Sequence, residues 1–389
     1  MEHWFDKIAK GLVITWASLL PLIFSVENPQ KTVPPPTSQI PHIETIATST
    51  QTFVATSTQK IVAKKTVKTK ELVIPKILPS LPLKTVDYQP STSSPIRPWS
   101  EINTDSKSSI INILCTSIFG GVFKPASGTG IVISGNGLVL TAAHVGQFFL
   151  LKDYPAKDSV RCVARTGSPA KNEYELELVY LPPEWIENNL TNISDENPTG
   201  TGEYDFAILK IVRRINVEST ELLPHPFPHL ELVSVDKIPA VGTTLLQSAY
   251  PAGFLGGVIT NLALYNASAL TQVNQLFSFS TSSISIDLFG LNGTILAQKG
   301  SSGGAVITDA GKVAGVIVTS TFGKETSERT LRAITVGHID RTLFTGSGYH
   351  LAEVLDEKDP TVFAKLSYEF NTYVVPQLTQ ALKKSIERN

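Results

Sequence analysis

Cysteine is nearly absent from this chain. Only Cys115 and Cys162 occur among 389 residues, so one bridge at most is possible. No C-x-x-C, H-E-x-x-H or calcium-loop pattern is present, and the sequence therefore implies neither a metal nor another cofactor. An excess of charge of one sign is missing too. With 33 basic against 34 acidic side chains and a formal net charge of −1, there is no overall basic field to neutralise phosphates, and nucleic acid is not an expected partner. Long uncharged apolar runs are scarce, the clearest being Gly11 to Val26, preceded by Lys7 and Lys10. As a helix at about 1.5 Å per residue that run spans roughly 24 Å, short of a bilayer core of about 30 Å unless Ile8, Ala9 and a snorkelling Lys10 extend it. It reads as a signal peptide or an anchor. Glu27 and Asn28 follow at once, leaving no small-x-small cleavage site, so residues 1–27 are expected to be an uncleaved transmembrane signal-anchor. The two lysines would hold the N-terminus in the cytoplasm and place the rest outside; if the segment is cleaved, the rest is secreted.

What is present is a set of three short segments: Thr141-Ala142-Ala143-His144, Tyr204-Asp205-Phe206-Ala207 and Gly300-Ser301-Ser302-Gly303-Gly304. In order they supply an imidazole, a carboxylate and a hydroxyl. A serine hydroxyl is almost never ionised at neutral pH, and an imidazole with a pKa near 6.5 is suited to take its proton as it attacks. A buried carboxylate then fixes the imidazole tautomer and stabilises the imidazolium. Asp205 suits this role because it opens the apolar run Phe206 to Val212, which reads as a strand. Glycines let a chain curl tightly enough to aim backbone N–H groups at a developing oxyanion; here Gly300 and Ser302 would donate them. Taken singly, each segment is ordinary: a flexible Gly/Ser loop, a packed histidine, an aspartate in a turn. Their joint occurrence in this order is not.

Together with Ser127-Gly128-Thr129-Gly130-Ile131-Val132-Ile133 and Gly304-Ala305-Val306-Ile307, these segments resemble the chymotrypsin superfamily of serine proteases, and within it the bacterial trypsin-like and HtrA-type enzymes. The chain order His, Asp, Ser matches that superfamily and differs from the subtilisin and α/β-hydrolase orders. The resemblance covers roughly Ile110 to Leu343. It implies an all-β fold of two six-stranded antiparallel β-barrels with the active site between them, and catalytic residues His144, Asp205 and Ser302. In the G-x-S-G-G pattern the second serine attacks, so Ser301 is the filler. The resemblance also places Leu296 and Ala297 where specificity is set, and Ile317, Val318 and Thr319 along a strand that would pair with extended polypeptide substrate. Leu296 stands six positions before Ser302, where an enzyme that prefers Lys or Arg carries an acid. A basic P1 residue would find no counter-charge, and small or medium apolar P1 side chains are expected.

Four regions result: the anchor at 1–27, a Pro/Thr/Ser/Lys-rich disordered linker at 28–98, a protease domain at 99–345 with barrels at about 99–222 and 232–345, and a C-terminal helical extension at 346–389. The linker has too few large apolar residues at regular spacing to bury a core. First-barrel strands are expected at Ile110–Ile118, Gly130–Ser134, Leu138–Thr141, Ser159–Arg165, Glu173–Tyr180 and Phe206–Val212. Second-barrel strands are expected at Thr243–Ala249, Gly257–Leu264, Leu276–Ser280, Gly304–Thr308, Val313–Thr319 and Leu331–Thr335. His225 and His229 lie among prolines that forbid a metal-binding helix face. The period Val374, Leu378, Leu382, Ile386 predicts a closing amphipathic helix packed on the barrel, and the extension is too short for a PDZ domain. Cys115 and Cys162 could be bridged in an exported protein or remain free core thiols. The alternative to an active protease is a catalytically silent or zymogen-like protease-fold binding protein at the cell envelope; a lipase is disfavoured because no Gly-x-Ser-x-Gly elbow sits in a βαβ context. Oligomeric state is left open.

Overall fold

The computed structural model describes residues 97–118, 125–190, 201–215, 222–253, 263–280, 285–320 and 330–387. The expected anchor at 1–27 and nearly all of the expected linker lie outside these residues. Among the described residues no helix is long and apolar enough to cross a membrane.

Alternating and β-branched segments close two barrels. The first contains β1 (Ile110–Ser117), β2 (Ala126–Val132), β3 (Leu138–Thr141), β4 (Val160–Thr166), β5 (Lys171–Tyr180) and β6 (Ala207–Arg214), hydrogen-bonded in the order β1-β2-β3-β6-β5-β4. The second contains β7 (Thr244–Ala249), β8 (Ala267–Phe277), β9 (Leu288–Leu291), β10 (Ala305–Ile307), β11 (Val313–Ser320) and β12 (Leu331–Thr335), closed as β10-β11-β12-β9-β8-β7. Every strand pair is antiparallel. Closure removes the unpaired edges an open sheet would expose.

The first barrel follows its expected strands to within a few residues. The second departs between β7 and β10. Of the expected strand Gly257–Leu264, residues 257–262 lie outside the described residues, while Ala263 and Leu264 are irregular chain. Instead β8 runs over Ala267–Phe277, absorbing the start of the expected Leu276–Ser280 strand, and β9 was not anticipated. The reason is visible in burial: on β8, Thr271 and Val273 are buried while Leu270, Gln272, Asn274 and Gln275 are exposed, an alternation carried by polar residues instead of an apolar run. The four residues of β9 are all buried and too few to show a period.

Cys115 and Cys162 sit directly opposite one another on β1 and β4 and form a disulfide. The bridge spans a sequence separation of 47 residues, which on the chain-entropy view stabilises the first barrel by about 4 kcal/mol.

Helices flank the barrels: α1 (Trp99–Ser106), α2 (Ala143–Gly146), α3 (Pro183–Asn188), α4 (Val336–Ser347), α5 (Leu351–Val354), α6 (Thr361–Glu369) and α7 (Val375–Ile386), the last two joined through a π turn at Phe370–Val374. Helix α4 is fastened to the second barrel by buried Asp287, which accepts from the Phe279 N–H at 2.9 Å and from Arg341 at 2.5 Å and lies 3.3 Å from His338 Nδ1. Burial alone would raise this carboxyl, but the His338, Phe279 and Arg341 contacts together bring it down to about 2. The expected closing helix is α7. Leu378 and Leu382 are buried, with Val374 and Ile386 partly buried against the same core, which contributes about 1.5–3 kcal/mol for each leucine fully removed from water. Thr379 Oγ1 donates to the Leu150 carbonyl at 3.0 Å and Ser385 Oγ to that of Leu190 at 2.9 Å, so α7 lies on the first barrel beside the chain that leaves α2.

Candidate active site

His144 stands in α2, a single turn that begins as soon as β3 ends. Asp205 precedes β6, the neighbour of β3 in the barrel, with Thr141 opposite Ala207. This pairing across adjacent strand ends brings residues distant in sequence into contact. Asp205 Oδ1 accepts the His144 backbone N–H at 3.0 Å, and His144 Nδ1 lies 2.9 Å from Oδ2 and 3.1 Å from Oδ1. A carboxylate can only accept here, so Nδ1 carries the proton and Nε2 is left as the base. The Asp205 side chain is 5% exposed and that of His144 is 26% exposed, so the pair has one dry end and one open end. Burial acts to lower the imidazole pKa, but the Asp205 charge and its hydrogen bond outweigh it, and the pKa is raised above 6.5. The backbone before Asp205 is unusual: Tyr204 adopts φ +62°, a left-handed conformation costly for a bulky residue. It is held by a turn in which Asp205 N–H donates to the Gly202 carbonyl at 3.2 Å and Phe206 N–H to that of Tyr204 at 2.9 Å.

The Gly300–Gly304 loop belongs to the second barrel and leads into β10. Gly300 has φ +93° and Gly303 φ +83°. At Gly300 a Cβ would fall 2.6 Å from the Tyr250 carbonyl oxygen, and at Gly303 it would collide with that of Thr129; only glycine fits either place. The N–H groups of this loop divide into two sets. Ser301 donates to Gln298 at 3.2 Å, Gly303 to Ile317 at 2.7 Å and Gly304 to Ser301 at 2.9 Å. Those of Gly300 and Ser302 have no acceptor among the described residues. Ser302 is partly exposed, and its carbonyl accepts the Thr129 N–H of β2 at 2.8 Å. Its hydroxyl makes no hydrogen bond among the described residues. Ser301 is fully buried and its hydroxyl has no partner.

The specificity residues inferred from sequence lie inward. Leu296, Ala297 and Ile317 are 0%, 3% and 1% exposed and belong to the core of the second barrel with Leu245 and Val306. Val318 is also buried. Ile317 pairs with Ala333 and Thr319 with Arg332 on β12, with a bulge between them at Val318, the kind of irregularity that re-aims a strand beside a site. Sequence reasoning passed over the residues that support this arrangement. Thr294 Oγ1 donates to Gln247 at 2.6 Å and accepts the Leu296 N–H at 3.2 Å, steadying the segment before the loop. Gln147 donates to the His144 carbonyl at 2.9 Å. Thr129 binds the loop directly; the only available signal was its place in Ser127-Gly128-Thr129-Gly130. Among the described residues no group of three or more His, Cys, Asp or Glu side chains could hold a metal ion.

Residues 128–316 match the model of a trypsin-like peptidase domain. Among solved structures, the chain is similar to the active form of the Rv3671c protease from M. tuberculosis, at 19% identity over 67% of this chain and 93% of that one, with a TM-score of 0.40. It is similar to the inactive form of that protease at 18% identity over 63% and 92%, TM-score 0.38. It is also similar to the HtrA-type protease AlgW with tripeptide, at 18% identity over 65% of each chain, TM-score 0.40. No curated protein matches.

Proposed function

We propose that this chain, whose residues 128–316 match a trypsin-like peptidase domain, is a serine-type peptidase that cleaves polypeptides internally through Ser302, His144 and Asp205. Ser302 Oγ attacks the scissile carbonyl carbon while His144 Nε2 takes its proton. The C–N bond then breaks as the imidazolium returns that proton to the leaving amine, and water releases the acyl group by the same route. Asp205 holds the tautomer and balances the imidazolium charge. Gly300 and Ser302 N–H stabilise the oxyanion. The observation that carries this reading is the division of N–H groups in the loop: every other one from Ser301 to Gly304 is committed, and the two uncommitted ones are those the chemistry requires.

A second reading, a catalytically silent protease-fold binding protein, is favoured by one observation, the Ser302 hydroxyl without a hydrogen bond. One experiment separates the two. An active enzyme is labelled covalently by a fluorophosphonate probe and degrades casein; a silent one does neither.

For specificity, the proposal is a preference for small or medium apolar P1 residues, because Leu296 and Ala297 bring no charge to the core behind the loop and a buried cation without a counter-ion is strongly disfavoured. A peptide-library profile should rise at Ala, Val or Leu in P1; one dominated by cleavage after Arg would overturn it. For location, residues 1–27 are proposed to tether the catalytic domain outside the cytoplasmic membrane, on the strength of the Gly11–Val26 run and its two preceding lysines. The full chain should then stay with membranes through an alkaline carbonate wash, and its release would refute the tether.

A further inference from the structure

We propose that Thr129, on the first barrel, is a positioning residue that locks the oxyanion loop of the second barrel into its working geometry. The inference rests on the peptidase reading above but stands on its own contacts.

Thr129 is fully buried and every polar group it has is engaged across the barrel boundary or toward the histidine. Its hydroxyl donates to the Gly300 carbonyl at 2.7 Å and accepts the Tyr250 N–H at 3.0 Å. The direction of both bonds is forced, since a backbone N–H can only donate and a carbonyl only accept. Its N–H donates to the Ser302 carbonyl at 2.8 Å. Its own carbonyl accepts the Thr141 hydroxyl at 2.6 Å, and Thr141 closes the strand that leads into His144.

The consequence follows from peptide planarity. In a trans peptide the N–H points opposite to the preceding C=O, so fixing a carbonyl fixes the donor beyond it. The Lys299 carbonyl accepts from Ala252 N–H at 2.7 Å, which turns the Gly300 N–H away from Ala252. The Thr129 hydroxyl pins the next plane through the Gly300 carbonyl. Gly300, at φ +93°, has the backbone freedom to let either plane rotate, and no side chain of its own to resist. The Gly300–Ser301 plane is held at one end by the Ser301 N–H on the Gln298 carbonyl at 3.2 Å and at the other by a shorter bond from a hydroxyl on the opposite barrel. The backbone bond from Thr129 to Ser302 survives any side-chain change, so loss of the hydroxyl removes the clamp on Gly300 and the acceptor of the Tyr250 N–H while leaving the Ser302 contact in place.

The test uses the full chain with Thr129→Val, Thr129→Ala and Thr129→Ser. Two readouts are taken: kcat and KM on a peptide substrate, and hydrogen exchange of the backbone amides of residues 298–304. Loss of the hydroxyl should lower kcat and the fluorophosphonate labelling rate about 10- to 100-fold, below the about 10²–10³ seen when an oxyanion donor is deleted outright, with KM within about twofold. Exchange in the loop should rise in parallel. Thr129→Ser should restore both. The acid limb of the pH profile should not move, because the His144–Asp205 pair is untouched. Wild-type kcat and wild-type exchange in the valine and alanine variants would overturn the proposal. So would equal loss in the serine variant, or unfolding of both hydroxyl-free variants, which would make Thr129 a packing residue only. If the wild-type chain is not labelled by the probe, the peptidase mechanism fails, while loop exchange still decides the role of Thr129.

Discussion

Replacing Ser302 by Ala should abolish fluorophosphonate labelling and reduce kcat about 10⁶-fold, the loss expected when a nucleophile is removed from a cooperating triad. The neighbouring serine provides the control. Ser301 has the same hydroxyl one residue away, yet it is fully buried with no hydrogen-bond partner among the described residues, whereas Ser302 is partly exposed within a loop that has two N–H groups without an acceptor among those residues. Ser301→Ala should therefore keep labelling and turnover within a few-fold. It should also raise the thermal midpoint, because an unsatisfied buried hydroxyl costs about 1 kcal/mol or more. The pair of variants is decisive because the two side chains differ in placement alone. Labelling that survives Ser302→Ala but disappears with Ser301→Ala would reverse the assignment.

Asp205→Asn should lower kcat by about 10⁴-fold with little change in KM, as an amide in this position no longer enforces the tautomer that frees Nε2. The pH dependence supplies an independent check. In the folded protein the imidazole pKa is raised above 6.5, with burial opposing and the Asp205 charge and hydrogen bond prevailing. The base must be neutral to accept the serine proton, so the acid limb of kcat/KM should fall at a pH above 6.5 and activity should rise through it. Without the carboxylate charge the opposing effect of burial remains, and the limb of the residual activity should move to lower pH. Stability moves the other way: a raised folded pKa stabilises the protein below the unfolded value and loses that contribution as pH rises through the folded one. An acid limb that stays in place in Asp205→Asn would show that His144 is not the titrating base.

The triad candidates were legible because their chemistry is tied to residue type and local pattern. A histidine after Leu138–Thr141, an aspartate opening an apolar run, and a serine among glycines each leave a mark within a few positions. Strands such as β1 and β12 were legible for the same reason. The long strand β8 was not, since its buried positions are held by Thr271 and Val273 between Gln and Asn residues, and alternation built from polar side chains resembles a loop. The state of Cys115 and Cys162 was undecidable from spacing, because a bridge depends on β1–β4 register, which neither residue encodes alone. Thr129 carried no mark beyond its place in Ser127-Gly128-Thr129-Gly130. Its hydroxyl meets Gly300, 171 positions away in sequence, and no local pattern reports a partner at that distance.

The sequence by itself determined the chemical identity of the candidate groups and their order along the chain, because these depend on residue types, and the family resemblance carried by those segments implied the two-barrel class. Tertiary structure alone decided how those groups are held: which carboxylate oxygens meet His144, which N–H groups of the loop are spent and which are spare, and which hydroxyl fastens Gly300. The physical reason is that hydrogen bonds act over about 3 Å, and barrel closure, which sets what lies within that distance, is a property of strand register across the whole domain.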